Sequence, residues 1–168
     1  YKLKNVNILE TDITNLQGVE DQTFDFVASN GVLHHTAEPD QGILEHYRVL
    51  KGNGVFWIYL YGKGGIYWEI YDLFKPLMRA VGTEAILDNL KNMGVREGLT
   101  YTFMDNFLAR RCYYSKSDIK KLLDIHESSK ITYAKGIDDI DDPQMQLESK
   151  YGKCVFGPDA EIRLIIEK

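Results

Sequence analysis

The run "FDFVASNGVLHHTAEPDQGILEHYRVLKGNGVFWIYLYG" (residues 24–62) constrains the fold more than any other part of this chain. It opens on a short apolar strand, 24–30, stopped by Asn30-Gly31. Pro39 then suits the first turn of a helix, and Ile43, Tyr47 and Leu50, with Leu44 beside them, recur at helical spacing. After the "KGNG" turn (51–54), "VFWIYLYG" (55–62) is apolar throughout, as a strand covered on both faces must be. Strand, helix and strand at this spacing predict a right-handed parallel crossover unit, hence an α/β sheet.

The flanks extend the pattern. "NVNILETDI" (5–13) predicts a short strand carrying Val6, Ile8 and Leu9 and ending at Glu10-Thr11-Asp12. Beyond residue 62 the rhythm changes. "IYWEIYDLFKPLMRAV" has Ile66, Ile70, Phe74, Leu77 and Val81 at helical spacing, with Pro76 predicted to bend or end the helix. A second helix is predicted over 84–93, stopped by Gly94, whereas 98–114 is rich in aromatics without a clean period. Ser115-Lys116-Ser117-Asp118 caps a further helix in "DIKKLLDI" on the S-x-x-D pattern. Strands are expected at 129–137 and 160–168, as antiparallel neighbours, with the acidic loop "DDIDDPQMQLESKYGK" between them. That loop lacks the glycine and terminal glutamate of a calcium loop.

At 168 residues the chain suits one domain, with 64–111 a variable, aromatic helical region inside it. A net charge of -5 provides no basic field for nucleic acid or anionic membrane. The apolar runs fall far short of the roughly 20 residues that a membrane helix needs. Cys112 and Cys154 are too few and too scattered for a disulfide framework or a thiolate metal site, and a reduced, cytoplasmic setting is the default. The chain opens at Tyr1 on a strand already under way, which suggests a fragment.

Several residues could carry chemistry. Asp12, at the carboxyl end of a strand, faces the crevice where open α/β sheets bind ligands, and the Ile13 amide could donate beside it. Alone, Asp12 reads more readily as a turn cap. Gly31 permits a sharp turn and a close approach to a ligand, although a plain strand-ending turn needs the same residue. His34 and His35 are adjacent, so they diverge and cannot chelate one zinc as a helical pair spaced by four can. A neutral imidazole beside a pocket suits proton removal. The competing reading packs one ring under the sheet and sets the other to cap a loop. The aromatics of 67–114 read as a lid over a substrate or as helical core, and Arg110-Arg111 among Tyr113 and Tyr114 could grip a carboxylate.

In order and spacing, the run N-G-V-L-H-H, E-P, R-V-L-K-x-x-G leading into an apolar strand resembles one family: the class I S-adenosylmethionine-dependent methyltransferases. It is most similar to the branch that includes ubiquinone- and menaquinone-type small-molecule enzymes. "ILETDITNL" resembles the family's preceding segment. The likeness is close over 5–63, looser over 115–168 and absent over 64–111. It implies an α/β, Rossmann-like methyltransferase sheet of parallel strands with an antiparallel last strand, N-terminally truncated, with a helical insertion after the family's fifth strand. It implies S-adenosylmethionine as cofactor of the intact parent, with Asp12 and Ile13 at the adenine and Asn30, Gly31 and Val32 near its methionine end. His34 or His35 would then face a small-molecule acceptor or act as base, with Tyr67, Tyr101, Arg110, Arg111 and Tyr114 as substrate contacts.

Two of the family's features are missing from these residues: the glycine-rich loop G-x-G-x-G and the acidic residue that holds the ribose. The family's strand order is 3-2-1-4-5-7-6, which would leave residues 5–11 as its third strand without neighbours. The expectation is an open, partly rearranged sheet or an exposed edge that pairs with another chain, giving a homodimer. Weak cofactor binding is expected as well. The rival readings are a non-catalytic binding or assembly module of the same fold and a nucleotide-dependent oxidoreductase. Against the latter, no tyrosine–lysine pair stands at helical spacing on a plausible catalytic helix.

Overall fold

A computed structural model describes residues 4–127, 130–134, 155 and 161–168. Its centre is the predicted crossover unit. Strand β1 (Phe24–Asn30) runs parallel to β2 (Leu50–Gly62), and helix α1 (Pro39–Arg48) lies between them in sequence. A single 3-10 turn, Leu33–His35, follows β1. β2 is longer than its apolar core because the "KGNG" turn is absorbed into the ladder as an irregularity. Asn53 there has φ 68°, and a Cβ on Gly54 would stand 2.8 Å from Leu50 Cγ and 2.9 Å from the Lys51 carbonyl. Any side chain at Gly54 would displace backbone.

The other strands join in the expected order. β5 (Glu161–Glu167) pairs antiparallel with β2, and β4 (Ile131–Tyr133) pairs antiparallel with β5. A two-residue strand, β3 (Tyr113–Tyr114), continues beside the end of β2. The sheet therefore reads β1-β2-β5-β4, the run 4-5-7-6 of the expected order, and it is open. The acidic stretch 135–150 lies outside the described residues.

One face of the sheet carries the core. Phe56, Ile58 and Leu60 of β2 alternate onto it beside Ile162, Leu164 and Ile166 of β5, all fully buried under Ile43 of α1 and Ile119 of α5 (Lys116–Leu122). Ser115 caps α5 as the sequence predicts: its hydroxyl accepts from the Asp118 amide at 3.1 Å while the Asp118 carboxylate accepts from the Ser115 amide at 2.7 Å. Burial pushes the Asp118 carboxyl up, but Lys63 and Ser115 outweigh that and hold it down to about 2. Replacing Ser115 with alanine is expected to lower stability by about 1 kcal/mol in a denaturant titration.

Beyond the carboxyl end of β2 the insertion forms three helices, α2 (Ile66–Val81), α3 (Thr83–Asn92) and α4 (Glu97–Phe107). Of the two outcomes expected at Pro76, the helix does not end there: α2 runs through it, and α4 is a helix where the sequence shows no clean period. The largest correction lies at the other end. Residues 5–11 form no strand: Val6, Ile8 and Leu9 are 53%, 94% and 61% exposed. A strand is held by a ladder, and among the described residues none stands beside this segment. What pins the following residues is α1: Leu16 donates to Glu45, and Arg48 reaches the carbonyls of Leu16 and Val19. The outer edge of β1 has no neighbour among the described residues, and its Phe24 and Phe26 are 44% and 61% exposed.

Candidate active site

The carboxyl ends of β1 and β2 meet the insertion helices, and the chemistry-bearing side chains gather there. Gly31 turns the chain with φ 68° just after β1, its amide donating to the Tyr59 carbonyl at 3.3 Å. A Cβ on Gly31 would stand 3.2 Å from the Tyr59 ring, so glycine is required both for the turn and for the space. Asn30 and Val32 on either side are exposed. Ile13 approaches the same region: its carbonyl and Leu33 both lie against Gly42 of α1.

Asp12 is exposed, and its Oδ1 accepts from the Thr14 amide at 2.8 Å and the Thr14 hydroxyl at 2.7 Å. These two bonds, the backbone one first, hold its carboxyl below the usual range. Asp12 is thus a turn cap that keeps its Oδ2 uncommitted among the described residues.

The two histidines have opposite environments. His34 is fully buried, stacked on Tyr61 with ring centroids 4.0 Å apart and edge-on to Tyr59. Neither of its ring nitrogens makes a hydrogen bond of ordinary geometry, although the Tyr59 backbone lies close. Burial, then the neighbouring His35 and Arg111, push it down to about 3, so it is a neutral packing ring. His35 remains partly exposed. Its Nδ1 lies 2.7 Å from the Arg110 carbonyl, which can only accept, so Nδ1 carries the hydrogen. Its Nε2 then faces the Asp105 carboxylate at 3.5 Å. Asp105, on α4, also accepts from the Tyr61 hydroxyl at 3.0 Å.

Around this pair the aromatics form a continuous layer. Tyr61, Trp68, Tyr67 and Tyr71 meet ring to ring, and Tyr113 lies 5.9 Å from Trp68 while donating to Asp72 at 2.8 Å. Arg111 is inside the layer, 4.8 Å from the Trp68 ring, 5.6 Å from Tyr61 and 5.8 Å from Tyr71. Burial raises Tyr67 to about 12 and moves Tyr61 and Tyr113 higher still, so all three hydroxyls keep their protons.

The structure therefore sorts the sequence candidates. Tyr67 and Arg111 join the site beside His35. Arg110 braces it from outside, donating to the Ala37 carbonyl at 3.2 Å. Tyr101 does not reach it: 66% exposed, it bonds to Glu97 on its own helix, beside Leu87 and Lys91 of α3. Tyr114 does not join the layer either. It points into the core and donates to Asp40 at 2.6 Å, while its neighbour Tyr113 faces the aromatic layer, because successive residues of a strand face opposite sides. The sequence reading missed Asp105, Asn106, Tyr61 and Trp68. The one available signal was an Asp-Asn pair in an otherwise aromatic and apolar run just before Arg110-Arg111. Among the described residues no three His, Cys, Asp or Glu side chains gather as a metal site, and no helix is long and apolar enough to cross a membrane.

A family model described as a methyltransferase domain matches residues 1–58. No curated protein sequence matches the chain. Among solved structures, an S-adenosylmethionine-dependent methyltransferase of Thermotoga maritima, a possible histamine N-methyltransferase, is similar over 97% of this chain at 16% identity and TM-score 0.50. A Haloferax volcanii complex of the Trm112 methyltransferase activator with its assigned methyltransferase gives 11% identity, 95% coverage and TM-score 0.48. A Bacillus halodurans C-125 protein assigned as a methyltransferase gives 16%, 96% and 0.43, with 76% of that chain covered. The chain spans 64% and 59% of the length of the first two. At 16% identity and TM-score 0.50, the first of these likenesses establishes the fold alone, an open Rossmann-like α/β sheet.

Proposed function

We propose that this chain forms part of an S-adenosylmethionine-dependent methyltransferase acting on a small-molecule acceptor. The observation that carries the reading is the Gly31 turn. A left-handed glycine closes β1 against Tyr59, leads directly into the histidine-bearing turn, and lies within the stretch that the methyltransferase-domain model matches. Bound S-adenosylmethionine would supply a methyl group on a positively charged sulfur. The residues fit that group on two sides. The Ile13 amide and the uncommitted Oδ2 of Asp12 suit an adenine edge, and the bare backbone of Asn30-Gly31-Val32 allows close approach at the methionine end.

His35 is the proton acceptor in this reading, since His34 is sealed. An acceptor that takes a methyl group from the bound cofactor would have a proton to lose, and Nε2 of His35 would receive it. Asp105 lies across that nitrogen, so the proton gained there stays between ring and carboxylate. An acceptor that loses a proton on methylation, at oxygen, nitrogen or sulfur, suits this arrangement. The aromatic layer favours a body that is small and partly apolar.

One observation favours the rival, a non-catalytic module of the same fold: Asp12 is already engaged as a local cap. Because no G-x-G-x-G loop occurs in these residues, S-adenosylhomocysteine is expected to bind the chain alone with a dissociation constant above about 100 μM in calorimetry. Replacing Asp12 with alanine should weaken that binding further. Binding that is unchanged by the replacement would remove Asp12 from the cofactor wall.

A further inference from the structure

Helix α2 is apolar on the side it turns to solvent. Ile66, Ile70, Leu73, Phe74, Leu77 and Val81 are 50%, 46%, 75%, 43%, 58% and 51% exposed. The covered side of the same helix carries Trp68, at 6% exposure, with Tyr67 and Tyr71 beside it in the aromatic layer. A surface helix normally presents its polar residues to water. Here, by helical spacing, Glu69 stands at the border of the bare stripe, and Asp72, Lys75 and Arg79 fall on the other sides. The spacing within the stripe is regular as well. Ile66, Ile70, Leu73 and Leu77 follow one another at intervals of four, three and four residues, with Phe74 and Val81 alongside. That is the alternation with which two helices pack along a seam.

Six large side chains at roughly half exposure leave on the order of 600 Å2 of apolar surface bare, the top of the range for a free monomer. Two such stripes packed together bury about 1,200 Å2, which reaches the size of a specific protein interface. We propose that α2 is the subunit contact of a homodimer, in which the stripes of two copies pack about a two-fold axis. A stripe without charge is complementary to itself, as an isologous contact requires. A lipid surface is the poorer match. Interfacial helices set Lys and Arg against their apolar face, whereas α2 balances Glu69 and Asp72 against Lys75 and Arg79, and the chain carries a net charge of -5. The outer edge of β1, with Phe24 and Phe26 exposed, is the competing place for copies to meet. The contact does not rest on the methyl-transfer reading. It would, however, brace the helix from which Trp68 and Tyr71 enter the aromatic layer.

The test is sedimentation velocity of the full chain from about 5 to about 500 μM, a span suited to an interface at the small end of the specific class. The chain is expected to pass from monomer to dimer within it. Leu73→Glu and Leu77→Glu each set a carboxylate on the seam of both copies and should weaken the dimer at least about tenfold. Phe26→Glu, at the β1 edge, should leave it unchanged. Leu73 and Leu77 already face solvent, so the substitutions should not disturb the fold, and circular dichroism checks this. Should either charge unfold the chain, Leu73→Ser removes the apolar contact without adding a charge and should weaken the dimer severalfold. A chain that stays monomeric at the highest concentration overturns the proposal. A dimer that survives the α2 substitutions overturns it too, and its loss in Phe26→Glu then places the contact at the β1 edge. Flotation with phosphatidylcholine vesicles, with and without phosphatidylserine, is the last arm. Vesicle binding that Leu73→Glu removes gives the stripe to a lipid surface and also overturns the homodimer; no binding to either vesicle is the expected result.

Discussion

Between about pH 6.5 and about pH 4.5 the fold is expected to lose on the order of 2 kcal/mol through His34 alone. In the unfolded chain this ring takes a proton near its ordinary value of 6.5, whereas in the fold burial, His35 and Arg111 push it down to about 3. The unfolded state therefore binds the proton first as the pH falls. The stability is fully present above the unfolded value and drains away on acidification, at up to about 1.4 kcal/mol per pH unit. Among the described residues no acid is placed to rescue the protonated ring: it is stacked on Tyr61, edge-on to Tyr59 and adjacent to His35, with Arg111 nearby. His46 contributes in the same direction, lowered by burial and partly restored by its bond to the Gly42 carbonyl. The window separates these rings from the carboxylates. Glu45 and Asp118 are held low by Arg48 and by Lys63 with Ser115, so their contributions disappear only in stronger acid. Urea titrations across the window should give a stability that falls with pH, and His34→Phe, which keeps a stacked ring and removes the titration, should flatten the fall. A slope unchanged by that substitution would mean that His34 is solvated.

Truncating Phe56 to alanine is expected to lower the unfolding free energy by about 3–5 kcal/mol. Phe56 is fully buried in the central strand, opposite Val27 of β1 on one side and Ile166 of β5 on the other, with the His46 ring 5.9 Å away. Neighbours on two paired strands cannot collapse into the void, which places the loss in the upper part of the usual range. Phe26→Ala, one face over and 61% exposed, is the internal control and should change stability by no more than about 0.5 kcal/mol. Similar losses at both positions would contradict a one-faced core.

The contrast between these two phenylalanines also shows why part of the fold was legible in the sequence and part was not. Local signals carried β1 to its exact ends at Phe24 and Asn30, the Pro39 start of α1 and the Ser115–Asp118 cap. Each of those depends on spacing or on a bond between near neighbours. Val6, Ile8 and Leu9 made an equally good strand pattern, but a strand also needs a partner, and no local signal reports one. α4 escaped notice because it carries Tyr101 and Phe103 beside Asp105 and Asn106, so no single apolar stripe emerges.

The site divides in the same way. Asn30-Gly31 and the paired histidines stood out because they are contiguous. The Asp105 carboxylate that faces His35 and bonds Tyr61 comes from 44 residues beyond that tyrosine, through an insertion whose packing no period predicts. Which of Tyr113 and Tyr114 faces the aromatic layer is a question of phase, and a two-residue strand is too short to show it in the sequence.

In the proposed function the carboxyl ends of β1 and β2, with the Asp12 turn, form one wall of a cofactor site. Amide nitrogen–proton NMR spectra of the chain titrated with S-adenosylhomocysteine to millimolar concentration test it most directly, because they register weak binding residue by residue. Saturating shifts are expected to concentrate at Asp12, Ile13, Asn30, Gly31 and Val32 and to be reduced in Asp12→Ala. Shifts confined to other surfaces, or none at all with the fold intact, would contradict it.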